Sequence, residues 1–504
     1  MKPQTRFRAA VLATLLLALP FSACAAGAGP FEPGTLGCER FRIPALLTLH
    51  DGSVLAGADL RWDHGTDAPQ NIDIAAAVSP DGYDGWVYSV PNRLDDYADG
   101  VSGTQSAAYI DSALLQSESG RVFMLCDLFP SGTGYPNAKK GSGCVTVDGR
   151  RYLALAKAGS QDDRYSIADF AGAFAPVMEN GRPTAYSVDR NYRLYKDGAL
   201  CTLAQKGSGD APTGETVAQS VFYAASDLHV FPTSYLCLRH SDDGGRTWSA
   251  PTLLNPMVKH DKEAFLGVCP GRGVSIRYDG HERLIFPVYS NERGREHALT
   301  IWSDDGGVTW QRGADVRCSL LLQKTSESQI ITLPDGTLRM FSRNGSHFIG
   351  RCDSTDGGVS WTKAKPDPAL CGTKNCMVSF VNTSHTVGGR PVVLCSMGSN
   401  VKSRADGVIR VGVIEADNRI DWISACPVNS GFFAYSCLTE LADGSIALLF
   451  EDGAAHFSYR IFTLNADGTL TPADGAPPAD MKQPSFADRL LALIGKIITV
   501  FSRK

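Results

Sequence analysis

An apolar run, a tight turn often spelled Asp-Gly and a second apolar run recur six times along the chain. The copies are "IPALLTLHDGSVLAGAD" from Ile43, "SALLQSESGRVFMLCD" from Ser112, "GVSIRYDGHERLIFPVY" from Gly273, "SQIITLPDGTLRMFSR" from Ser328, "SHTVGGRPVVLCSM" from Ser384 and "SCLTELADGSIALLF" from Ser436. Each reads as a β-hairpin. A third strand-like run follows each hairpin, and after the first four it leads into a further repeat. That repeat is "SDDGGRTW" at 241–248, "SDDGGVTW" at 303–310, "STDGGVSW" at 354–361 and a worn "SPDGYDGW" at 79–86. Strand, turn, strand, loop, strand, box and strand make four antiparallel strands per repeat, the unit of a β-propeller. The pattern therefore predicts an all-β fold, a six-bladed β-propeller spanning 36–470.

Successive hairpins start roughly 50 to 70 residues apart, except between the second and third, where about 160 intervene. The excess, 144–222, predicts a small β-rich insertion. At the far end "FADRLLALIGKIITVF" from Phe486 has helical spacing. It predicts a helical tail over 482–504, too short in its uncharged stretch to span a bilayer.

The box invites a catalytic reading, and its position argues against one. It lies at the turn joining the third and fourth strands, at the opposite end from where the first strand begins. An aspartate or serine can bond the turn's own backbone there, glycine supplies positive φ, and four of the 7 tryptophans close the boxes. The likeness to a calcium loop fails, because the further acidic ligands and the closing glutamate are missing. The box reads as scaffold.

Composition adds exclusions. With 48 Lys and Arg against 53 Asp and Glu the chain carries a net charge of −5, which argues against nucleic acid as partner. Lys2, Arg6 and Arg8 precede an apolar run from Ala9 to Phe21, the layout of a secretory signal over 1–26. Cys24 reads either as the lipid-bearing cysteine of a lipoprotein or as part of an ordinary cleavage site with Ala23 and Ala25. The expected location is secreted, periplasmic or cell-surface, with membrane contact only through such an anchor or the tail. Several of the remaining cysteines, such as Cys126 and Cys395, sit in apolar runs as small hydrophobes. Cys371 and Cys376 in "CGTKNC" are spaced for a small loop disulfide and not for zinc.

Hairpin geometry indicates where chemistry belongs. The start of each first strand and the end of each second strand share one rim near the propeller axis. Arg42 opens the first repeat, followed by Asp59, Arg61 and the loop with Asp67. Asp111 opens the second, Glu327 opens the fourth and Arg343 ends its second strand. Arg404 follows the fifth hairpin and Tyr435 opens the sixth. A lone rim arginine is usually a solvated or paired charge. Several guanidiniums converging from separate repeats repel one another unless they share an anion, and arginine grips a carboxylate bidentately. The rim calls for an anionic ligand.

"FRIP" at 41–44, the boxes, "SES" at 326–328 leading to "MFSR" at 340–343, and "FFAYSCL" at 432–438 together resemble the secreted bacterial sialidases (neuraminidases), in that family's order. The resemblance covers about Phe41 to Phe462. It implies that Arg42, Arg343 and Arg404 hold the C1 carboxylate of sialic acid, that Tyr435 is the nucleophile and that Glu327 is the base sharing its proton. It also implies that Asp67, rather than Asp63 or Asp73, is the general acid and then base, and that Arg61 and Asp111 contact ring substituents and the N-acyl group.

The chemistry is consistent with that implication. Sialic acid carries its carboxylate on the reacting carbon, so a neutral phenol avoids the like-charge encounter that a carboxylate nucleophile would meet. The implied activity is exo-α-sialidase hydrolysis of sialylated glycans, glycoproteins or glycolipids, with retention of configuration through a tyrosyl intermediate and with no metal or cofactor. Alternatives are an intramolecular trans-sialidase releasing an anhydro sugar, another transfer enzyme, a sialic-acid-binding propeller without catalysis, and a non-catalytic assembly factor.

Overall fold

A computed structural model describes residues 29–475 apart from 95–105, 161–163, 207–210, 293 and 454. The expected leader and C-terminal helix lie outside the described residues. Within them the fold is all-β in a propeller arrangement, and helix is confined to the turns Thr35–Gly37 and Asn255–Val258.

The fourth to sixth hairpins each head a four-stranded antiparallel sheet. The fourth runs Ser328–Thr332, Leu338–Ser342, Phe348–Ser354 and Lys365–Cys371. The fifth runs Ser379–Val387, Arg390–Gly398, Ala405–Ile414 and Ile420–Phe432. The sixth runs Ser436–Glu440, Ile446–Gly453, His456–Leu464 and Leu470–Pro472. The third sheet has five strands, because Leu266–Val268 joins Val274–Tyr278 on His281–Ser290.

The expectation of six separate blades is corrected here: the structure has four discrete blades, and the first two repeats share one nine-stranded sheet. Ile72 pairs in parallel with Ala108, and Gly271–Arg272 pairs in parallel with Ala113 and Leu114. The edge pair of Ile72 with Ala108 runs from one repeat to the next and joins what would be separate blades, and the two repeats also pack closely face to face, since a Cβ on Gly57 would lie 2.9 Å from Ser112 Oγ.

The central strands are buried on both faces, as Val54–Arg61, Ile72–Ser79 and Val122–Phe129 show, which is why they read as unbroken apolar runs. Neighbouring sheets pack face to face: Phe341 and Phe380 stack at 3.9 Å between the fourth and fifth. Tyr235–Ser241 pairs with Val122–Phe129 although more than a hundred residues separate them in sequence. The chain between them builds its own eight-stranded sheet, from Cys144–Val147 to Leu228–Val230, plus the hairpin of Thr202–Lys206 and Pro212–Ala218. Its core joins the first sheet through edge contacts of Phe222 with Tyr192 and Tyr235. The structure has no disulfide between Cys371 and Cys376, so the expected loop disulfide is not formed.

The boxes bond themselves. Ser241 Oγ donates to Asp243 Oδ1 at 2.7 Å and accepts the Gly245 N–H at 2.8 Å, while Thr247 Oγ1 donates to Asp243 Oδ2 at 2.6 Å. Trp248 Nε1 closes the turn on the Gly245 carbonyl at 3.0 Å. The second box repeats these bonds through Ser303, Asp305, Thr309 and Trp310. Burial opposes ionisation of Asp243, but hydrogen bonds from Thr247, Ser241 and the Arg246 N–H hold its carboxyl down at about 2. Asp243→Ala is expected to cost about 1 kcal/mol of stability, as loss of a comparable capping carboxylate does, and to leave activity unchanged. Because the folded-state pKa is depressed, this contribution is full above the unfolded value near 4 and fades as pH falls through about 2. Denaturant titration of both proteins at neutral and acid pH checks it.

Candidate active site

The rim opposite the boxes gathers the charged side chains. Arg42 stands at the start of Phe41–Thr48, where the pairing register shifts between Arg42 and Ala45 and Ile43 takes a φ of 57°. A β-branched residue at positive φ is strained and must be held by its surroundings. Glu451 is the holder: its Oε1 accepts the Ile43 N–H at 3.1 Å and Arg42 Nε at 3.0 Å. Replacing it with Gln keeps the shape but removes the charge from a site only 1 % exposed. Glu451→Gln is expected to lose about 2 kcal/mol of stability, the value of hydrogen bonds to a charged group. It should also raise KM, both measured on the purified variant.

Asp67 Oδ1 accepts from Arg42 Nη1 at 3.0 Å and from Arg61 Nη1 at 2.7 Å. Arg61 is fully buried, tied to Asp59 at 2.7 Å and to the Thr66 carbonyl at 2.5 Å, and so fixes the loop that carries Asp67. Burial raises the Asp67 carboxyl, but Arg61 and then Arg42 outweigh it and hold the group below the usual carboxylate range. Burial pushes Asp59 up to about 6 against the pull of Arg61.

Across the site, Tyr435 Oη donates to Glu327 Oε1 at 2.6 Å, and Arg343 Nη1 donates to Glu327 Oε2 at 2.6 Å and to the phenol oxygen at 2.9 Å. The Arg42 and Arg404 guanidiniums lie 5.6 Å and 5.5 Å from the Tyr435 ring centroid. Burial, then the Glu327 charge, raises the phenol far above its ordinary value. The phenol is therefore neutral at rest, and its proton is directed at the Glu327 side chain.

These residues enclose a cavity of about 250 Å³ lined by Arg42, Asp67, Asp111, Glu327, Arg343, Arg404 and Tyr435. Of the rim residues expected from sequence, Asp59 and Arg61 do not line it, and Arg61 sits behind Asp67. Ile110, Phe129, Phe265 and Tyr289 form an apolar part of the wall. Asp111, at a φ of 63°, gives its N–H to Asp59 Oδ1 at 3.1 Å. Burial, with Asp59 and Asp127 nearby, raises its carboxyl well above the ordinary range.

Sequence reasoning missed several participants, Glu451, Asp127 and Asn375 among them. Glu451 and Asp127 end the second strands of the sixth and second hairpins, so the rim rule applied to every repeat would have found both. Asn375, whose Oδ1 accepts from Arg343 Nε at 2.8 Å, lies in a loop with no repeat counterpart. His260, Glu263 and Glu292 are the one group among the described residues spaced for a metal. Glu263 there is already bonded to Arg312 and Ser290.

The BNR repeat-like domain family matches residues 211–448. The chain is 33% identical to the anhydrosialidase of Macrobdella decora, over 82% of this chain and 58% of that one. It is 30% identical to sialidase B of Streptococcus pneumoniae, over 82% of this chain and 61% of that one. It thus spans about three-fifths of the length of these two curated relatives. Among solved structures it is similar to the intramolecular trans-sialidase of Ruminococcus gnavus in complex with oseltamivir carboxylate. The TM-score is 0.81 at 32% identity, covering 88% of this chain and 99% of that one.

Proposed function

The chain belongs to the sialidase family, and on that footing we propose that it cleaves terminal α-linked sialic acids from glycans, glycoproteins or glycolipids by a retaining, tyrosyl-enzyme route. The observation that carries this is the Tyr435–Glu327 hydrogen bond of 2.6 Å beneath the Arg42 and Arg404 guanidiniums. Arg42, Arg343 and Arg404 take the C1 carboxylate. Bond breaking makes the anomeric carbon oxocarbenium-like, and Tyr435 captures it as its proton passes to Glu327. Asp67 protonates the departing oxygen and then activates the nucleophile that releases the sugar, while Asp111 and the apolar wall receive the N-acyl side.

Hydrolysis is the first reading because the Asp67 side chain is 67% exposed and open to water. A second reading, intramolecular transfer to an anhydro-sialic acid, is favoured by the names of the anhydrosialidase and of the Ruminococcus gnavus enzyme. Incubation with α2,3- and α2,6-sialyllactose, followed by mass identification of the released sugar, separates the two. Free sialic acid supports hydrolysis, an anhydro product supports transfer, and bound sialic acid without release leaves a lectin. We read 36–470 as the catalytic unit with 144–222 inserted in it, and the leader as directing export to the cell surface or beyond. No helix among the described residues is long and apolar enough to cross a membrane.

A further inference from the structure

The arginines of the site are not braced alike. Arg42 is fixed by Glu451 and Asp67, Arg61 by Asp59 and Asp67, and Arg343 by Glu327. Among the described residues Arg404 has no carboxylate partner. Its Nη2 donates to the Asn375 carbonyl at 3.3 Å, and its guanidinium lies over the Tyr435 ring. The Asn375 side chain meanwhile accepts from Arg343 Nε at 2.8 Å. That nitrogen can only donate, so the amide orientation is settled: Oδ1 faces the arginine.

Building on the sialidase reading, we propose that Asn375 is a positioning residue for the substrate carboxylate, a neutral double acceptor that aligns Arg343 and Arg404 while leaving their charge for the incoming anion. A side-chain carboxylate in its place would hold Arg343 more strongly, but it would neutralise the attraction the ligand needs and compete with it for the same donors. An amide and a peptide oxygen offer dipoles with no net charge. Glu327 and Tyr435 already take Arg343 Nη1, and Asn375 takes Nε, so among the described residues Nη2 is the nitrogen left to offer.

The loop is built for this. Asn375 lies between Lys365–Cys371 and Ser379–Val387, and the next two residues, Cys376 and Met377, are buried in one cluster with Ile43, Ala434 and Tyr435. The loop that holds the arginines is thus anchored against the backbone that presents the nucleophile. Lys374, on the other side, is exposed to solvent.

The test uses the full chain with Asn375→Ala and Asn375→Asp, steady-state kinetics on α2,3-sialyllactose, and calorimetric Kd for free sialic acid. Asn375→Ala is expected to raise KM and Kd about tenfold, the cost of one hydrogen bond to a charged group, with kcat within about twofold. Asn375→Asp, nearly isosteric and still an acceptor, is expected to raise both at least as much at neutral pH. A loop-stabilising role predicts the opposite: Asp close to wild type, and Ala lowering the melting temperature without moving KM. An Asp variant within about twofold of wild type in both KM and Kd overturns the proposal. Wild type that binds sialic acid without turnover overturns the catalytic reading, and the Kd comparison still decides on Asn375. Wild type that does not bind sialic acid overturns both.

Discussion

Tyr435→Phe is expected to lower kcat on sialyllactose by about 10,000-fold, roughly 5.5 kcal/mol of transition-state stabilisation, while the Kd for sialic acid moves by less than about threefold. The separation follows from what the phenyl ring and the hydroxyl each do. The ring lies beneath the Arg42 and Arg404 guanidiniums and packs with Ile43, Cys376, Met377 and Ala434, and Phe keeps all of this. The hydroxyl makes two bonds, to Glu327 at 2.6 Å and to Arg343 at 2.9 Å. Removing it takes away the atom that would bond to the anomeric carbon and leaves a buried Glu327 oxygen without its donor. A loss of only tenfold would mean that another group forms the intermediate or that none forms.

Asp67→Asn is expected to lower kcat/KM on sialyllactose by about 100- to 1,000-fold and on an aryl sialoside by less than about tenfold, because general acid catalysis matters only where the leaving group is poor. The resting geometry makes this a demanding test. With Arg61 and Arg42 on one oxygen the carboxyl is held below the usual range and is ionised at neutral pH, whereas an acid must carry a proton. A substrate carboxylate competes for Arg42 and brings a negative charge beside Asp67. Both effects raise the carboxyl's proton affinity. On the proposed mechanism, substrate entry is what arms Asp67 as the acid. Equal losses on the two substrates would place Asp67 among the structural ion pairs instead.

The hairpins and boxes were legible because strand alternation and turn chemistry are local, and the strand pairs Ser328–Thr332 with Leu338–Ser342 and Ser436–Glu440 with Ile446–Gly453 fall on their predicted runs. The shared sheet of the first two repeats was not. It depends on the pairing of Ile72 with Ala108, a tertiary contact that periodicity does not encode. The rim rule brought Arg42, Asp67, Asp111, Glu327, Arg343, Arg404 and Tyr435 to one cavity, because strand ends that share a side must converge. It also placed Arg61 there, where the structure buries it one layer back. Asn375 escaped because loop positions carry no period, and the ionised state of Asp67 escaped because it depends on two arginines from different parts of the first repeat.

The central claim is that Tyr435 forms a covalent bond to the sugar. Reaction with a sialosyl fluoride carrying fluorine at C3 slows oxocarbenium formation while keeping a good leaving group, so an intermediate accumulates. Peptide mass mapping of the trapped protein then locates it. The account predicts one sialosyl adduct, on the peptide containing Tyr435 and absent from Tyr435→Phe. An adduct on Glu327 or Asp67, or turnover of the reagent with no adduct on any residue, would contradict it.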